Sequence, residues 1–408
     1  MTEKSKVEQL LDRGVKMPLP GTVAIGDEVD TARISGDNVT LHPGTRITGV
    51  KTLVMQGTVL GQEGPVTLDD CFVGRETRLK GGFFQGAVFA GNNSFGSGAH
   101  VRRGTILEEQ ASAAHTVGLK QTLLFPFVTL GSLINFCDCF MAGGTSRKDH
   151  SEVGSSFIHF NYTPNQDKAT PSMFGNVHQG VMLNNHPVFL GGQGGVVGPC
   201  RLAFGSVTAA GTICRKDEPR PDRLILGGAL KERSMPKRSG VYLDVKRVFL
   251  NNCHYIAGMI ALLNWYRNVR RLFRNDDLAR HLQSGMEENL EVIIGERIER
   301  VEGFRGSLEQ SRQQLLARAE GETTDLVASH ESIINQWPAI KEKLVRETAK
   351  ENPDHRRDQL VSAVERGIAS HGNDYIRVIS GLDPGDSHAG SLWLEAIEQS
   401  VLQACNIF

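Results

Sequence analysis

Apolar residues recur at every sixth position over long parts of the first half of this 408-residue chain. Three runs keep the spacing: Phe83, Phe89, Phe95, Val101, Leu107, Ala113 and Leu119; Leu41, Ile47, Leu53 and Val59; and Leu190, Val196 and Leu202. Small and turn-forming residues lie between them, whereas a β-sandwich would show alternation with turns every 8–12 residues. Coils with one inward side chain per hexapeptide must stack to bury that side chain. The period therefore predicts a β-solenoid of hexapeptide repeats.

The extent of the repeat divides the chain into three regions. The hexapeptides begin by about residue 23 and stop after about residue 239. We therefore predict an N-terminal helical segment over 1–22, a β-helix over 23–239 and an α-helical domain over 240–408. The period breaks between about 125 and 187. Because insertions in a solenoid form loops on one face, often the binding face, we predict an excursion loop there that carries the functional site.

The C-terminal third shows helical spacing of its apolar residues. Four of them fall seven apart and predict a partial coiled-coil or hairpin seam: Ile294, Val301, Leu308 and Leu315. Pro338 is placed to open another helix. Four arginines are interpreted as a solvated helical face in preference to a phosphate site: Arg267, Arg270, Arg271 and Arg274. With no catalytic constellation, this third is predicted to be an assembly or partner-binding module.

Charge and cysteine content exclude several classes of protein. Forty-five basic and forty-six acidic residues nearly cancel, which argues against a general nucleic-acid binder. Seven scattered cysteines, an odd number, are typical of reduced thiols, and we predict a soluble cytoplasmic protein. The N-terminus lacks a secretory signal and no apolar stretch is long enough to span a bilayer. Neither the Cys137/Cys139 pair nor the set His115, His150 and His159 has spacing that enforces a metal site.

Two segments carry a resemblance to a known family. Residues 188–213 read VFLGGQGGVVGPCRLAFGSVTAAGTI, and residues 160–168 read FNYTPNQDK. The chain from about 95 to 217 resembles the acetyltransferase domain of bifunctional UDP-N-acetylglucosamine pyrophosphorylase/glucosamine-1-phosphate acetyltransferase. The resemblance implies a left-handed parallel β-helix, a homotrimer, and grooves between subunits that bind sugar phosphate and acetyl-CoA. It does not reach the helical third.

The resemblance also implies roles for single residues. Arg103 and Lys120 are expected to hold the phosphate, since arginine offers a forked donor set and lysine a point charge. The polar residues of the loop are expected to orient the sugar and the donor: Asn161, Tyr162 and Lys168. Ala210 is expected to present backbone groups to the pantetheine arm of acetyl-CoA, and Gly192 is assigned to the same cofactor.

The chain departs from the family at the reacting position. Asn135 stands where the family has a histidine base, and Asp138 where it has a substrate-binding tyrosine; both are still predicted to contact substrate. Because an amide cannot accept a proton at neutral pH, His150 or His159 is predicted to act as the catalytic base.

Several functions compete. The leading hypothesis is a transferase acting on an amino-sugar phosphate or sugar nucleotide with an acyl-CoA donor. A non-catalytic sensor of sugar nucleotides, a trimeric scaffold and a metal-dependent carbonic anhydrase of β-helix type are the alternatives, the last disfavoured by its histidine spacing. Nucleotidyl transfer is not expected, because the hexapeptides begin too early for a nucleotide-binding domain and no glycine-rich phosphate loop is present.

Overall fold

The computed structural model describes residues 4–165, 167–227, 232, 234, 236, 238–317 and 324–408. Short strands fill the first part of the chain: β1 (Ala24–Ile25), β2 (Thr40–Leu41), β3 (Arg46–Thr48), β4 (Leu53–Val54), β5 (Val59–Leu60), β6 (Val66–Asp69), β7 (Phe72–Val73), β8 (Arg78–Leu79), β9 (Gly82–Gln85), β10 (Ala87–Phe89), β11 (Ser94–Phe95), β12 (Ala99–Val101), β13 (Thr105–Leu107), β14 (Ser112–Ala113), β15 (Val117–Lys120), β16 (Leu123–Leu124), β17 (Thr129–Leu130), β18 (Ile134–Cys137), β19 (Cys139–Met141), β20 (Gly144–Ser146), β21 (Asp149–His150), β22 (Glu152–Val153), β23 (Ile158–Phe160), β24 (Ser172–Phe174), β25 (Phe189–Leu190), β26 (Gly195–Val197), β27 (Cys200–Leu202), β28 (Val207–Thr208), β29 (Ile213–Cys214) and β30 (Leu224–Ile225).

Helices occupy the two ends of the chain and one insertion. They are α1 (Lys6–Asp12), α2 (Val177–Gly180), α3 (Val245–Asn268), α4 (Asp277–Leu316), α5 (Thr324–Ala349), α6 (His355–His371), α7 (Tyr375–Ser380) and α8 (Pro384–Ala404). Short 3₁₀ turns span Pro20–Thr22, Thr31–Arg33 and Arg270–Phe273. None of the described helices is long and apolar enough to cross a membrane.

The strands form three parallel sheets of ten, eight and ten strands that wrap around one interior. Phe89 is paired with Leu107 and Val101 with Leu119, so strands eighteen residues apart in sequence are neighbours in space. Eighteen residues are three hexapeptides, which means that one coil contributes one strand to each sheet. Phe95 and Leu107 are among the fully buried residues of this interior. The predicted parallel β-solenoid, followed by a helical region, is confirmed.

Three members of the periodic runs point outward instead of inward, and the first is Leu53, which pairs in the ladder with the outward Phe72. Phe84 is fully buried, whereas Phe83 is half-buried and stacks on His100 with ring centroids 5.3 Å apart. Likewise Leu60, and not Val59, fills the interior. The coil around Phe84 is shorter than three hexapeptides, because Leu68 pairs with Phe84 and Phe84 with Val101, and this moves the inward position by one residue.

The segment 125–187 does not leave the solenoid as one excursion. Strands β18, β19, β23 and β24 lie within it and stay in the parallel ladders. The extra residues form shorter insertions instead, namely the β20–β21 hairpin, the loop after β23 and the stretch around α2. The prediction of a single loop is corrected, since apolar residues such as Phe136 and Phe140 keep each coil anchored.

The helical region covers the outer face of the eight-stranded sheet. Outward side chains of that sheet are therefore buried as deeply as inward ones: Phe72, Val88, Ile106, Leu123 and Phe140. Helix α4 lies against this face, and at Gly285 an added Cβ would come within 2.5 Å of the Phe72 ring. The close approach explains why glycine, a poor helix former, stands inside α4 at this position.

Sequence patterns in the helices are partly confirmed. The seven-residue stripe of α4 is buried, as predicted for Ile294, Val301, Leu308 and Leu315. Pro338, however, lies inside α5 and does not open it, because buried Trp337 and Ile340 on either side hold the helix in place. The solvated interpretation is wrong for Arg270, which is buried against Glu109 at 2.9 Å and the Tyr375 ring.

Candidate functional site

A cavity of about 380 Å³ lies where strands of the solenoid, the loop after β23 and helix α4 meet. Its lining combines residues from all three: Arg102, Lys120, Asn135, Cys137, Asp138, Asn161, Tyr162, Lys168, Glu296 and Arg300. Six of these were predicted as substrate-binding residues, and they are Lys120, Asn135, Asp138, Asn161, Tyr162 and Lys168. The structure therefore brings these six residues into one cavity, although Lys120 and Lys168 are 48 positions apart in the sequence.

Local strand geometry turns the solenoid residues toward the cavity. In β15, Val117 and Leu119 point inward and are buried, so Lys120 points outward at the end of the strand. Lys120 is paired in the ladder with Cys137, which brings the coil corner at Asp138 alongside it. Asp138 adopts a positive φ of 60°, a conformation that asparagine and aspartate tolerate better than most residues.

The electrostatic balance of the cavity is basic. Arg102, Lys120 and Lys168 have no carboxylate within 4 Å in the part of the chain that the structure describes. Glu296 is bonded to Arg300, with Oε1 2.9 Å from Nε and 2.5 Å from Nη2. Such a concentration of positive charge favours an anionic ligand.

Both carboxylate oxygens of Asp138 are hydrogen-bonded to residues from outside its own coil. Its Oδ1 accepts a hydrogen bond from Arg297 Nη2 at 2.6 Å, and its Oδ2 accepts one from Asn161 Nδ2 at 2.6 Å. Arg297 is only 1% exposed and also donates to the Lys168 carbonyl at 3.0 Å. The carboxylate thus fixes the loop and helix α4 in place, and the substrate contact of Asp138, which lines the cavity, stays a prediction.

His159 occupies a position that does not fit its predicted role as catalytic base. It follows Phe136 in the inward stack of the solenoid and is 1% exposed. Its Nδ1 is 2.6 Å from the Cys137 carbonyl and must donate to it, which leaves Nε2 to accept from Ser172 Oγ at 2.7 Å. Burial lowers the pKa of His159 to about 4. Both ring nitrogens are engaged and neither reaches the cavity, so the prediction for His159 is corrected.

His150, the other predicted base, lies on the β20–β21 hairpin and does not line the cavity. Its Nε2 is 3.9 Å from Glu152 Oε2, and its buried Nδ1 has no hydrogen-bond partner among the described residues. Cys137, which does line the cavity, is held as a thiol because burial raises its pKa to about 11. A thiolate nucleophile is therefore not available there at neutral pH.

Three predicted residues lie away from the cavity. Arg103 is exposed but outside the lining, and its neighbour Arg102 is the arginine that faces the cavity. Arg102 faces the cavity because it directly follows Val101, the inward residue at which β12 ends, and side chains alternate between inward and outward. Gly192 and Ala210 lie on adjacent later coils, joined by a bond from Gly211 N to Gly192 O of 2.9 Å, and are not part of this cavity.

Helix α4 contributes residues that the sequence reading missed. Glu296 and Arg300 line the cavity, and Arg297 braces it from behind. The sequence did contain one indication of this site. Arg297 lies on the same helical face as the apolar residues Ile294 and Val301, so this spacing predicts that its charged side chain is buried. A buried arginine requires a partner, but the sequence does not say which one.

The described residues hold no cluster of three or more histidine, cysteine or acidic side chains that could bind a metal ion. His115 is bonded to Ser132 Oγ at 2.9 Å, and His159 is enclosed in the interior. The three histidines considered for a metal-dependent enzyme therefore do not converge within this chain.

Fold and cavity together define a class of protein: a hexapeptide-repeat β-solenoid whose basic cavity is closed by an added helical region. No family model matches the chain. It is similar to the bifunctional protein GlmU of Thermotoga sp. strain RQ2, with 26% identity over 227 residues, 55% of this chain and 45% of that protein. The bifunctional protein GlmU of Clavibacter sepedonicus is 28% identical over 221 residues, 54% of this chain and 39% of that protein. The chain thus spans less than half the length of these relatives, and the similarity confirms the resemblance inferred from the coil and loop motifs.

Proposed function

We propose that this protein is a hexapeptide-repeat transferase whose basic cavity binds an amino-sugar phosphate or a sugar nucleotide, with an acyl-CoA, such as acetyl-CoA, as donor. The observation that carries the proposal is the grouping of Arg102, Lys120 and Lys168 without carboxylate partners among the described residues. Cations gathered in one cavity repel one another, and a bound phosphate relieves that repulsion.

The rest of the lining suits the sugar part of such a ligand. Asn135 and Tyr162 are exposed and offer amide and phenol groups that both donate and accept hydrogen bonds. Asn161 is held by Asp138, so its orientation is fixed before a ligand arrives. For the acyl donor, support comes from the resemblance alone, which assigns Gly192 and Ala210 to the cofactor.

A non-catalytic sugar-nucleotide-binding protein is the second candidate, and one observation favours it. No histidine lines the cavity within the described residues, and His159 is enclosed in the interior. Acyl transfer to an amine needs a group that accepts a proton, since a protonated amine is not a nucleophile. In this candidate the solenoid binds the ligand and the helical region responds to its presence.

Thiol release separates the two candidates. We expect a transferase to release the thiol of acetyl-CoA when it is mixed with glucosamine-1-phosphate or another amino-sugar phosphate. We further expect His159→Gln to leave the rate per folded molecule within about threefold of the parent, since a base would contribute about 10²–10⁴-fold. No thiol release with any acceptor, together with binding of a sugar nucleotide, would reject the transferase and leave the binding protein.

We also propose a homotrimer. Leu133 and Ile158 are exposed apolar side chains, 55% and 41% accessible, beside a second cavity of about 460 Å³. This second cavity shares Arg102, Asn135 and Cys137 with the first, so a neighbouring copy packed there would border the ligand site. We expect light scattering at micromolar concentration to give three times the chain mass, and Leu133→Glu to lower it. A monomer mass for the parent protein would contradict the trimer.

A further inference from the structure

We propose that helix α4 forms a wall of the ligand site, and that Arg300 binds the second phosphoryl group of a diphosphate-linked sugar. Arg297 fastens this part of the helix to the solenoid and its loop. The inference rests on the proposed ligand cavity and selects a sugar nucleotide over a sugar monophosphate. It concerns a part of the chain to which the resemblance in the solenoid does not extend.

The geometry around Arg300 leaves its side chain available to a ligand. Arg300 lines the same cavity as Lys120 and Lys168, and 39% of its side chain is exposed. Both of its hydrogen bonds, from Nε and Nη2, go to the single oxygen Oε1 of Glu296. Its Nη1 makes no hydrogen bond within the described residues. Donors therefore remain free for an incoming phosphate oxygen.

Glu296 is a partner that a ligand can replace. The pair spans one helical turn and both side chains are partly exposed, 39% for Arg300 and 31% for Glu296. Exposed pairs of this spacing add little stability, whereas an arginine binds a phosphate through two parallel charge-assisted bonds. Glu296 thus holds the Arg300 side chain in place without competing strongly with a phosphate.

Arg297 fixes the position of this wall relative to the loop. It lies on the buried side of the same turn of α4 and bonds Asp138 Oδ1 at 2.6 Å and the Lys168 carbonyl at 3.0 Å. Arg297 consequently fixes the position of Lys168 on the loop relative to Arg300 on the helix. Their cationic groups face the same cavity before a ligand binds, which lowers the entropy that binding must overcome.

The number of cationic side chains around the cavity favours a ligand with two phosphoryl groups. The solenoid and its loop supply three cations without carboxylate partners among the described residues: Arg102, Lys120 and Lys168. The single phosphoryl group of a phosphate monoester offers three terminal oxygens, and these three cations can already bind them. Arg300 adds a fourth cation, and a second phosphoryl group is the ligand feature that would use it.

Calorimetric titration of the full chain tests the proposal, with UDP-N-acetylglucosamine and glucosamine-1-phosphate as probes. We expect Arg300→Gln to weaken binding of the diphosphate probe about tenfold to a hundredfold and that of the monophosphate less than about threefold. Glu296→Gln should change affinity in the opposite direction, tightening the diphosphate probe severalfold, because it removes a competing negative charge. Opposite signs on two neighbouring residues are not expected from a merely structural role.

Arg305→Gln is the matched control. Arg305 lies on the same helix, is paired with Glu302 at 2.9 Å with 32% of its side chain exposed, and does not line the cavity. Its replacement should leave both affinities unchanged. If the parent protein binds the diphosphate probe and Arg300→Gln binds it equally well, α4 is not a ligand wall although the cavity proposal stands. Equal losses for the two probes would overturn the diphosphate assignment, and a parent that binds neither probe would overturn both proposals.

Discussion

Replacing Leu107 with aspartate is expected to destabilise the protein by more than about 4 kcal/mol, enough to unfold much of the solenoid. Leu107 is fully buried and lies between Phe89 and Leu124 in the interior stack. The substitution removes the apolar side chain and buries a carboxylate with no cation to pair it. Natural domains have only about 5–15 kcal/mol of stability, so this loss should be visible as a large fall in urea midpoint or melting temperature.

An outward position on a neighbouring strand provides the control. Ser94 is half-buried on β11, adjacent to inward Phe95 and paired in the ladder with Arg78. Ser94→Asp should change stability by less than about 1 kcal/mol, because the carboxylate stays near water and near a cation. Equal melting temperatures for Leu107→Asp and the parent would show that the inward assignment of the periodic residues is wrong.

Replacing Arg297 with methionine is expected to cost about 3–5 kcal/mol, the usual cost of removing one partner from a buried ion pair. Methionine keeps much of the length of the side chain but leaves the Asp138 carboxylate with only Asn161 as a partner. The Lys168 carbonyl loses its bond to the helix as well. Urea unfolding followed by circular dichroism measures the loss.

A second, compensating substitution identifies the cause of this loss. Combining Arg297→Met with Asp138→Asn removes both charges, and we expect it to recover more than about 1 kcal/mol relative to Arg297→Met alone. Arg305→Gln, which breaks an exposed pair on the same helix, should cost less than about 1 kcal/mol. A loss below about 1 kcal/mol for Arg297→Met would mean that the pair does not fasten α4 to the solenoid.

The solenoid could be predicted from the sequence because the pattern that produces it lies within each hexapeptide and is repeated along the chain. Each hexapeptide must place one apolar residue inward, and Phe89, Phe95 and Val101 carry that signal in the sequence itself. The position of Phe83 could not be predicted in the same way. A coil that is one residue shorter than its neighbour keeps its ladder pairs, but its inward position moves from Phe83 to Phe84. The pairing of Phe84 with Val101 in the structure shows this shift, and the hexapeptide spacing alone does not.

The site could be predicted only as far as the solenoid and its loop reach. Lys120, Asn161 and Lys168 come from segments with recognisable motifs, and the structure brings them to one cavity. Arg102 was missed by one residue because the end of β12 decides which of two adjacent arginines faces outward. Glu296 and Arg300 were missed because they lie more than 120 residues further along the chain, on a helix whose docking depends on long-range packing.

Titration calorimetry with UDP-N-acetylglucosamine and glucosamine-1-phosphate on the parent protein and on Lys120→Ala tests most directly whether the basic cavity binds a phosphorylated sugar. We predict that at least one probe binds the parent and that Lys120→Ala weakens it by about 1.5–3 kcal/mol, through loss of a charge-assisted hydrogen bond. Lys148→Ala, which removes an exposed lysine outside the cavity, should bind like the parent. Unchanged affinity in Lys120→Ala, or no binding of either sugar by the parent, would contradict the assignment of this cavity.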